Sequence, residues 1–400
     1  MNIFPTGSFA RFDIPLDVVP AGYSMTACKP GDHLWIAEKE FVSSEDGELL
    51  IGRLEGWPAS LLQRVTEKYN VVFQESEIQN MLMTIRRDKT ASVHINAPMK
   101  ALIQPKAPKK AGQIIFREDI ADVREVVFRD VDIPDDAGLI AYFSVGWRRG
   151  LFYDFSILAE KDGKREYNFN QLMGCYYSYL SFQSVFKISD AEWANLLNSG
   201  WFPFVTLDSG LIDSMLNYNR QGWNVDDLLG QIQADVLKRL PDRLKVWANI
   251  KAFESQMEFI TTSVERYRSN DYISCISVLF PRIEGILREF QRISGQHGKT
   301  RQVDLAATVI SPALKAQNHQ FTPLLPLKFS KYLEDVYFAD FDPKKKDNTL
   351  SRNTVGHGVA TKENFDLKGS TIGFLILDQL SYYFTGVQGN KGIGGRDGSR

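Results

Sequence analysis

Three side chains of different chemistry fall within one short stretch near the end of the chain. They are Arg352, Asn353 and His357, in Ser351-Arg352-Asn353-Thr354-Val355-Gly356-His357-Gly358. An imidazole titrates near neutrality, so His357 can take or give a proton at physiological pH. A guanidinium stays charged and presents a planar fork of donors to phosphate oxygens, which suits Arg352 to a phosphoryl centre. The Asn353 carboxamide both donates and accepts, so it can orient the imidazole or hold a non-bridging oxygen. If the segment is helical, Asn353 and His357 are four residues apart and share a face, and Arg352 reaches it from one side. Gly358 suits a helix stop or a close backbone approach. This triplet at this spacing arises by chance on the order of 0.02 times in a chain of this length. The chemistry it suggests is cleavage of a phosphodiester.

The elements around it read as helices. Residues 271–293 carry Ile273, Ile276, Phe280, Ile283, Leu287 and Phe290 at helical spacing, with Asn270 as N-cap and Gly295 as stop. Pro281 falls inside that helix and is expected to kink it. Glu284 and Arg288 are one turn apart on it, placed either to hold the motif side chains or to form an ordinary helix ion pair. Residues 242–268 show a second stripe, Phe253, Met257, Ile260, Val264 and Tyr267. A short helix is expected over 326–338. The helix over about 367–385 is apolar nearly all round, so it belongs at the centre of a bundle. Lys344-Lys345-Lys346, just before the motif, can track an RNA backbone or form a solvated loop.

Arg352-Asn353-x-x-x-His357-Gly358 resembles the RNxxxH signature of the HEPN superfamily, all-α domains that include many metal-independent ribonucleases of toxin, abortive-infection and antiviral systems. The long helix with Pro281, Glu284 and Arg288, the motif, and a closing apolar helix resemble that family's core over about residues 245–385. The resemblance implies cleavage by internal attack of the RNA 2′-OH. His357 would act as acid or base, Arg352 would stabilise the transition state, and Asn353 would position His357 or the phosphate. The implied product is a 2′,3′-cyclic phosphate. RNA is the implied substrate because DNA lacks the nucleophile. The resemblance further implies a homodimer whose two motifs face each other, no cofactor, and an antitoxin or regulatory partner. From a second class comes a non-catalytic HEPN-like module that dimerises or binds RNA or nucleotide.

The first half reads differently. Short strands are expected at His33 to Phe41, Leu49 to Trp57, Ala91 to Ala97, Ile114 to Phe116, Val123 to Val131, Leu139 to Val145 and Leu151 to Leu158, with one helix over 59–73. Residues 142–204 hold 17 Phe, Tyr or Trp among 63, enough to make this stretch the core of the first half. Gly146-Trp147-Arg148-Arg149-Gly150 reads as a hairpin turn whose arginines either are solvated or contact RNA beside a stacking ring. The expected fold class is an α+β N-terminal half followed by an all-α HEPN-like helical bundle. The expected divisions are 1–207 as a sensor or regulatory domain, 208–244 as a helical connector, 245–385 as the bundle and 386–400 as a disordered tail.

Composition narrows the remaining classes. The 400 residues carry 47 Lys plus Arg against 49 Asp plus Glu and are 44% hydrophobic, ordinary globular values. Residues 1–240 hold 25 basic and 32 acidic residues; residues 241–400 hold 22 and 17, so the second half is mildly basic. No apolar run is long enough to span a bilayer, and the N-terminus lacks a secretory pattern, so a cytoplasmic protein with no membrane partner is expected. Cys28, Cys175 and Cys275 lie far apart, and no two of the five histidines sit four residues apart, so no metal site is expected. Gly295-Gln296-His297-Gly298-Lys299-Thr300 fails as a phosphate loop because Ile293 stands where a glycine is needed. Asp130, Asp132, Asp135 and Asp136 read as a solvated turn.

Overall fold

The computed structural model describes residues 2–5, 7–296, 301–310, 321–342, 344 and 349–388. The chain forms two compact units, one of residues 1–102 and 123–181, the other of residues 103–122 and 182–400. The division therefore lies at Ser181 rather than at residue 207, and the segment 103–122 belongs with the helices. The α+β half followed by a helical region is what the structure shows.

The first unit is built on a six-stranded antiparallel sheet in the order Ala10–Pro15, Thr90–Ile95, Asn80–Ile85, Gly138–Val145, Arg148–Asp154, Lys39–Ser43. Side chains alternate across a strand, so Met81, Met83, Val93, Ile140, Leu151 and Tyr153 line one face. The helix Trp57–Tyr69 covers that face with Leu61 and Val65. On the opposite face the helix Phe169–Ser181 lays Tyr176 flat on Phe41, ring centroids 3.8 Å apart. Two strand expectations fail. Residues 48–55 are a helix, because the Ser43 and Asp46 side chains cap the preceding turn and aim the chain into it. Its residues Leu50 and Arg53 are buried while Ile51 is exposed, a period of three to four rather than two. Ile114 to Phe116 is an exposed loop, with Ile114 71% accessible.

The second unit is helical. The last helix, Leu367–Gln388, buries Phe374, Leu375, Ile376, Leu377 and Leu380, so it is central, as its all-round apolar pattern requires. The long helix Tyr272–Ile293 crosses it closely at Gly373, where a Cβ would lie 2.6 Å from Leu279 Cδ2. Phe290 stacks on Phe384 at 3.7 Å. The N-cap of the long helix is Asp271, whose carboxylate accepts from the Ser274 amide at 3.1 Å; Asn270 instead takes the left-handed turn before it, at φ 59°. Asp378 is buried on the last helix with Arg243 as its ion partner, and it also accepts from Trp247 Nε1 at 3.2 Å. The aromatic stretch 142–204 does not form one core. Tyr153 and Phe155 belong to the sheet unit, whereas Trp193, Trp201, Phe202 and Phe204 belong to the helical core.

Candidate functional site

The motif segment forms a single helical turn, Arg352–Gly356. Ser351 caps it: its hydroxyl oxygen accepts from the Thr354 amide at 3.1 Å, while Thr354 Oγ1 accepts from the Ser351 amide at 2.8 Å. The Ser351 hydroxyl also donates to the Ala339 carbonyl at 2.9 Å, which ties the turn to the preceding loop. So short a helix has little stability of its own; these ties hold it. It ends where Gly358 adopts φ +69°, a left-handed conformation that glycine takes without a Cβ penalty.

Asn353 points inward and is 6% exposed. Its Nδ2 donates to the Phe338 carbonyl at 2.9 Å and to Gln302 Oε1 at 3.0 Å, and its Oδ1 accepts from Gln302 Nε2 at 2.6 Å. The carboxamide is thus fully occupied by the short helix Gln302–Ala306 and the loop at Phe338. Its link to the histidine is through the backbone, the His357 amide donating to the Asn353 carbonyl at 3.0 Å. Asn353 is buried while His357, one turn on, is exposed.

Arg352 turns to the long helix, where its Nε forms an ion pair with Glu284 Oε2. The other oxygen of Glu284 accepts from Arg288 Nε at 2.8 Å and Nη2 at 2.6 Å. Glu284 is buried, the Arg352 side chain is one-quarter exposed and the Arg288 side chain nearly half exposed. One carboxylate between two guanidiniums leaves a net positive charge at the edge of the unit. The path of Arg352 depends on Gly356, because a Cβ there would lie 2.6 Å from Arg352 Nη1. Nearby, burial and the charge of Glu284 hold the Tyr337 phenol well above its usual range, so it stays neutral; its hydroxyl donates to the Phe280 carbonyl at 2.6 Å.

His357 is exposed. Among the described residues its imidazole has no hydrogen-bond partner, and its ring lies against Phe341, centroids 5.3 Å apart and tilted 46°. Among those residues both imidazole nitrogens are thus left unpaired. His94, by contrast, is buried in the sheet unit, where desolvation lowers its pKa and holds it neutral. His297 and His319 lie outside the described residues.

Two clefts flank the motif. One of about 650 Å³ is lined by Gln302, Phe338, Asp340, Glu334 and Asp335. The other, about 530 Å³, is lined by Thr349, Leu350, Tyr337, Asp226, Asp366 and Lys368. Their walls carry more acid than base, so they are not grooves for a phosphate backbone. The cations beside the motif are Arg352 and Arg288, which share the Glu284 carboxylate.

The remaining expected contacts are dispersed. Lys344 is exposed, and its amide donates to Asp342 at 2.9 Å; Lys345 and Lys346 lie outside the described residues. Arg148 and Arg149 are in the other unit, in the hairpin between Gly138–Val145 and Arg148–Asp154. Arg148 Nη1 donates to the Leu180 carbonyl at 3.0 Å and Arg149 Nη1 to the Gly146 carbonyl at 3.1 Å, so both guanidiniums are folded back on their own chain. Trp147 at the tip is 70% exposed. Among the described residues no group of three or more His, Cys, Asp or Glu is placed to hold a metal, and no helix is long and apolar enough to cross a membrane.

Sequence reasoning missed Gln302, Phe341 and the role of Gly356. Gln302 is distant in sequence and carries no periodic signal. Gly356 was legible only as a variable position within the motif. Compared with known proteins, the chain matches no family model, no curated protein and no solved structure.

Proposed function

We propose that the chain is a metal-independent endoribonuclease of HEPN type. The observation that carries this reading is the exposed His357 imidazole, at the end of a turn whose Arg352 is fixed by buried Glu284. His357 removes the proton of the ribose 2′-OH, and that oxygen attacks the adjacent phosphorus. The bond from phosphorus to the 5′ oxygen breaks, and the leaving oxygen takes a proton from an acid. A 2′,3′-cyclic phosphate and a 5′-hydroxyl remain. Arg352 stabilises the charge on the phosphorane-like transition state. Asn353 acts as a positioning residue, since its amide fixes the turn and does not face the ligand.

One imidazole cannot be base and acid in the same step, so the working form is a homodimer in which His357 of each chain supplies one role. On this reading the protein is a cytoplasmic effector of stress, toxin or phage defence, held in check by an antitoxin or regulatory partner, with the sheet unit as the regulatory part. A second reading is favoured by Asn353, whose amide is used wholly for packing: a non-catalytic module that dimerises or binds RNA or nucleotide. Incubation of purified protein with RNA in excess chelator separates the two. Cleavage by wild type and none by His357→Ala supports the nuclease; intact RNA in both overturns it.

A further inference from the structure

Phe341 has no place in the hydrophobic core. It is half-buried, yet it packs against neither core cluster, and its ring contact is with the exposed imidazole of His357. The ring thus lies beside the imidazole that the ribonuclease reading makes the reacting group. Its position is also fixed. The backbone immediately before it is held by the motif turn, through Asn353 Nδ2 to the Phe338 carbonyl and the Ser351 hydroxyl to the Ala339 carbonyl. The loop that carries Phe341 is therefore tied to the turn that carries His357.

Two flat groups tilted 46° and 5.3 Å apart make a small platform with an apolar side and a proton-transfer side. Asp340 and Asp342 flank Phe341 in the chain, so the charge next to the ring in sequence is negative and disfavours a phosphate there. The group that fits on the ring is thus uncharged and flat, and the phosphate falls to the cations Arg352 and Arg288. In a duplex the base faces are already stacked on one another and closed to side chains, whereas in single strands, loops and bulges they are open to aromatic rings.

We propose that Phe341 is the stacking platform for an unpaired nucleobase beside the scissile phosphate, so that the site takes single-stranded RNA and rejects duplex. This rests on the ribonuclease reading above and names its substrate class. The test is binding of a single-stranded DNA oligonucleotide carrying 2-aminopurine. That probe lacks the 2′-OH, so it binds without being cut. Wild type is expected to quench the probe and to bind its duplex form at least roughly 10-fold more weakly. Phe341→Leu is expected to weaken single-strand binding roughly 10-fold, and Phe341→Trp to retain it. Melting temperatures of both variants should match wild type, because Phe341 lies outside the core.

Binding of the probe without quenching, equal affinity for single strand and duplex, unchanged affinity in Phe341→Leu, or no binding at all overturns the proposal. The two readings fail separately. A wild-type protein that quenches the probe but leaves RNA intact contradicts the nuclease and keeps the platform. His357-dependent cleavage with a silent Phe341→Leu contradicts the platform alone.

Discussion

The Glu284 carboxylate, buried on the long helix Tyr272–Ile293, forms an ion pair with the Arg352 guanidinium from the motif turn. The same carboxylate holds Arg288, so one acid fixes two cations. Glu284→Gln keeps the shape and removes the charge. Both arginines stay partly hydrated, so the stability loss should be about 2 kcal/mol, well short of a fully buried pair. Urea denaturation measures it. Released from its anchor, Arg352 no longer holds its place, and RNA cleavage should fall roughly 100-fold.

Asn353 and Gln302 should behave as one unit. Asn353→Ala leaves the half-buried Gln302 amide and the buried Phe338 carbonyl short of a partner, at a cost of about 1–3 kcal/mol. Gln302→Ala should cost a similar amount. The double variant should lose clearly less than the two added together, because the first change already breaks the pair. Denaturant midpoints of the four proteins test this, and additive losses would show that the amides act independently.

Gly356→Ala separates chemistry from folding. A methyl group there meets Arg352 Nη1, the end of a flexible side chain, so the guanidinium shifts and the backbone does not. Stability should change by less than about 1 kcal/mol, since alanine also favours the helix. Cleavage should fall at least roughly 10-fold through the displaced arginine. Unaltered cleavage would mean that the position of Arg352 is not critical.

Lys106 supplies a pH test of the helical unit. Its Nζ donates to the Leu207 carbonyl at 2.8 Å, and burial, reinforced by Arg239, pushes its pKa down to about 8 from 10.5. Between those values the unfolded chain binds the proton that the folded chain has lost, so stability rises with pH across that window. Below about pH 8 both states are protonated and the full penalty is present. Lys106→Met should therefore stabilise most at neutral pH, and its advantage should shrink as pH climbs toward 10. Denaturant midpoints at three pH values, wild type against variant, check this; a constant difference would contradict it.

The bundle was legible because its signals are local. The all-round apolar run at Ile372 to Leu380 could lie only in the centre, and the stripe from Ile276 to Phe290 could face only inward. Glu284 was legible as a candidate because it stands one turn from Arg288, but its hold on Arg352 is a tertiary contact with no sequence spacing behind it. The inward packing of Asn353 is likewise a tertiary effect. Its amide is taken up by Gln302 and the Phe338 carbonyl, partners that no spacing within the motif predicts. In the sheet unit, the strands Ala10–Pro15 and Asn80–Ile85 and the helix Glu48–Glu55 are not separable from sequence, because short apolar segments carry too few periods to distinguish two from 3.6.

The central claim is that His357 drives attack by the ribose 2′ oxygen without a metal. It is tested most directly by the ends of the cut strand, using a single-stranded RNA and the same RNA with one 2′-deoxy sugar at the preferred cleavage position, both in chelator. The account predicts 2′,3′-cyclic phosphate and 5′-hydroxyl ends from the first, no cut at the modified sugar in the second, and no product from His357→Ala. Cleavage at the 2′-deoxy position, or equal product from wild type and His357→Ala, would contradict it.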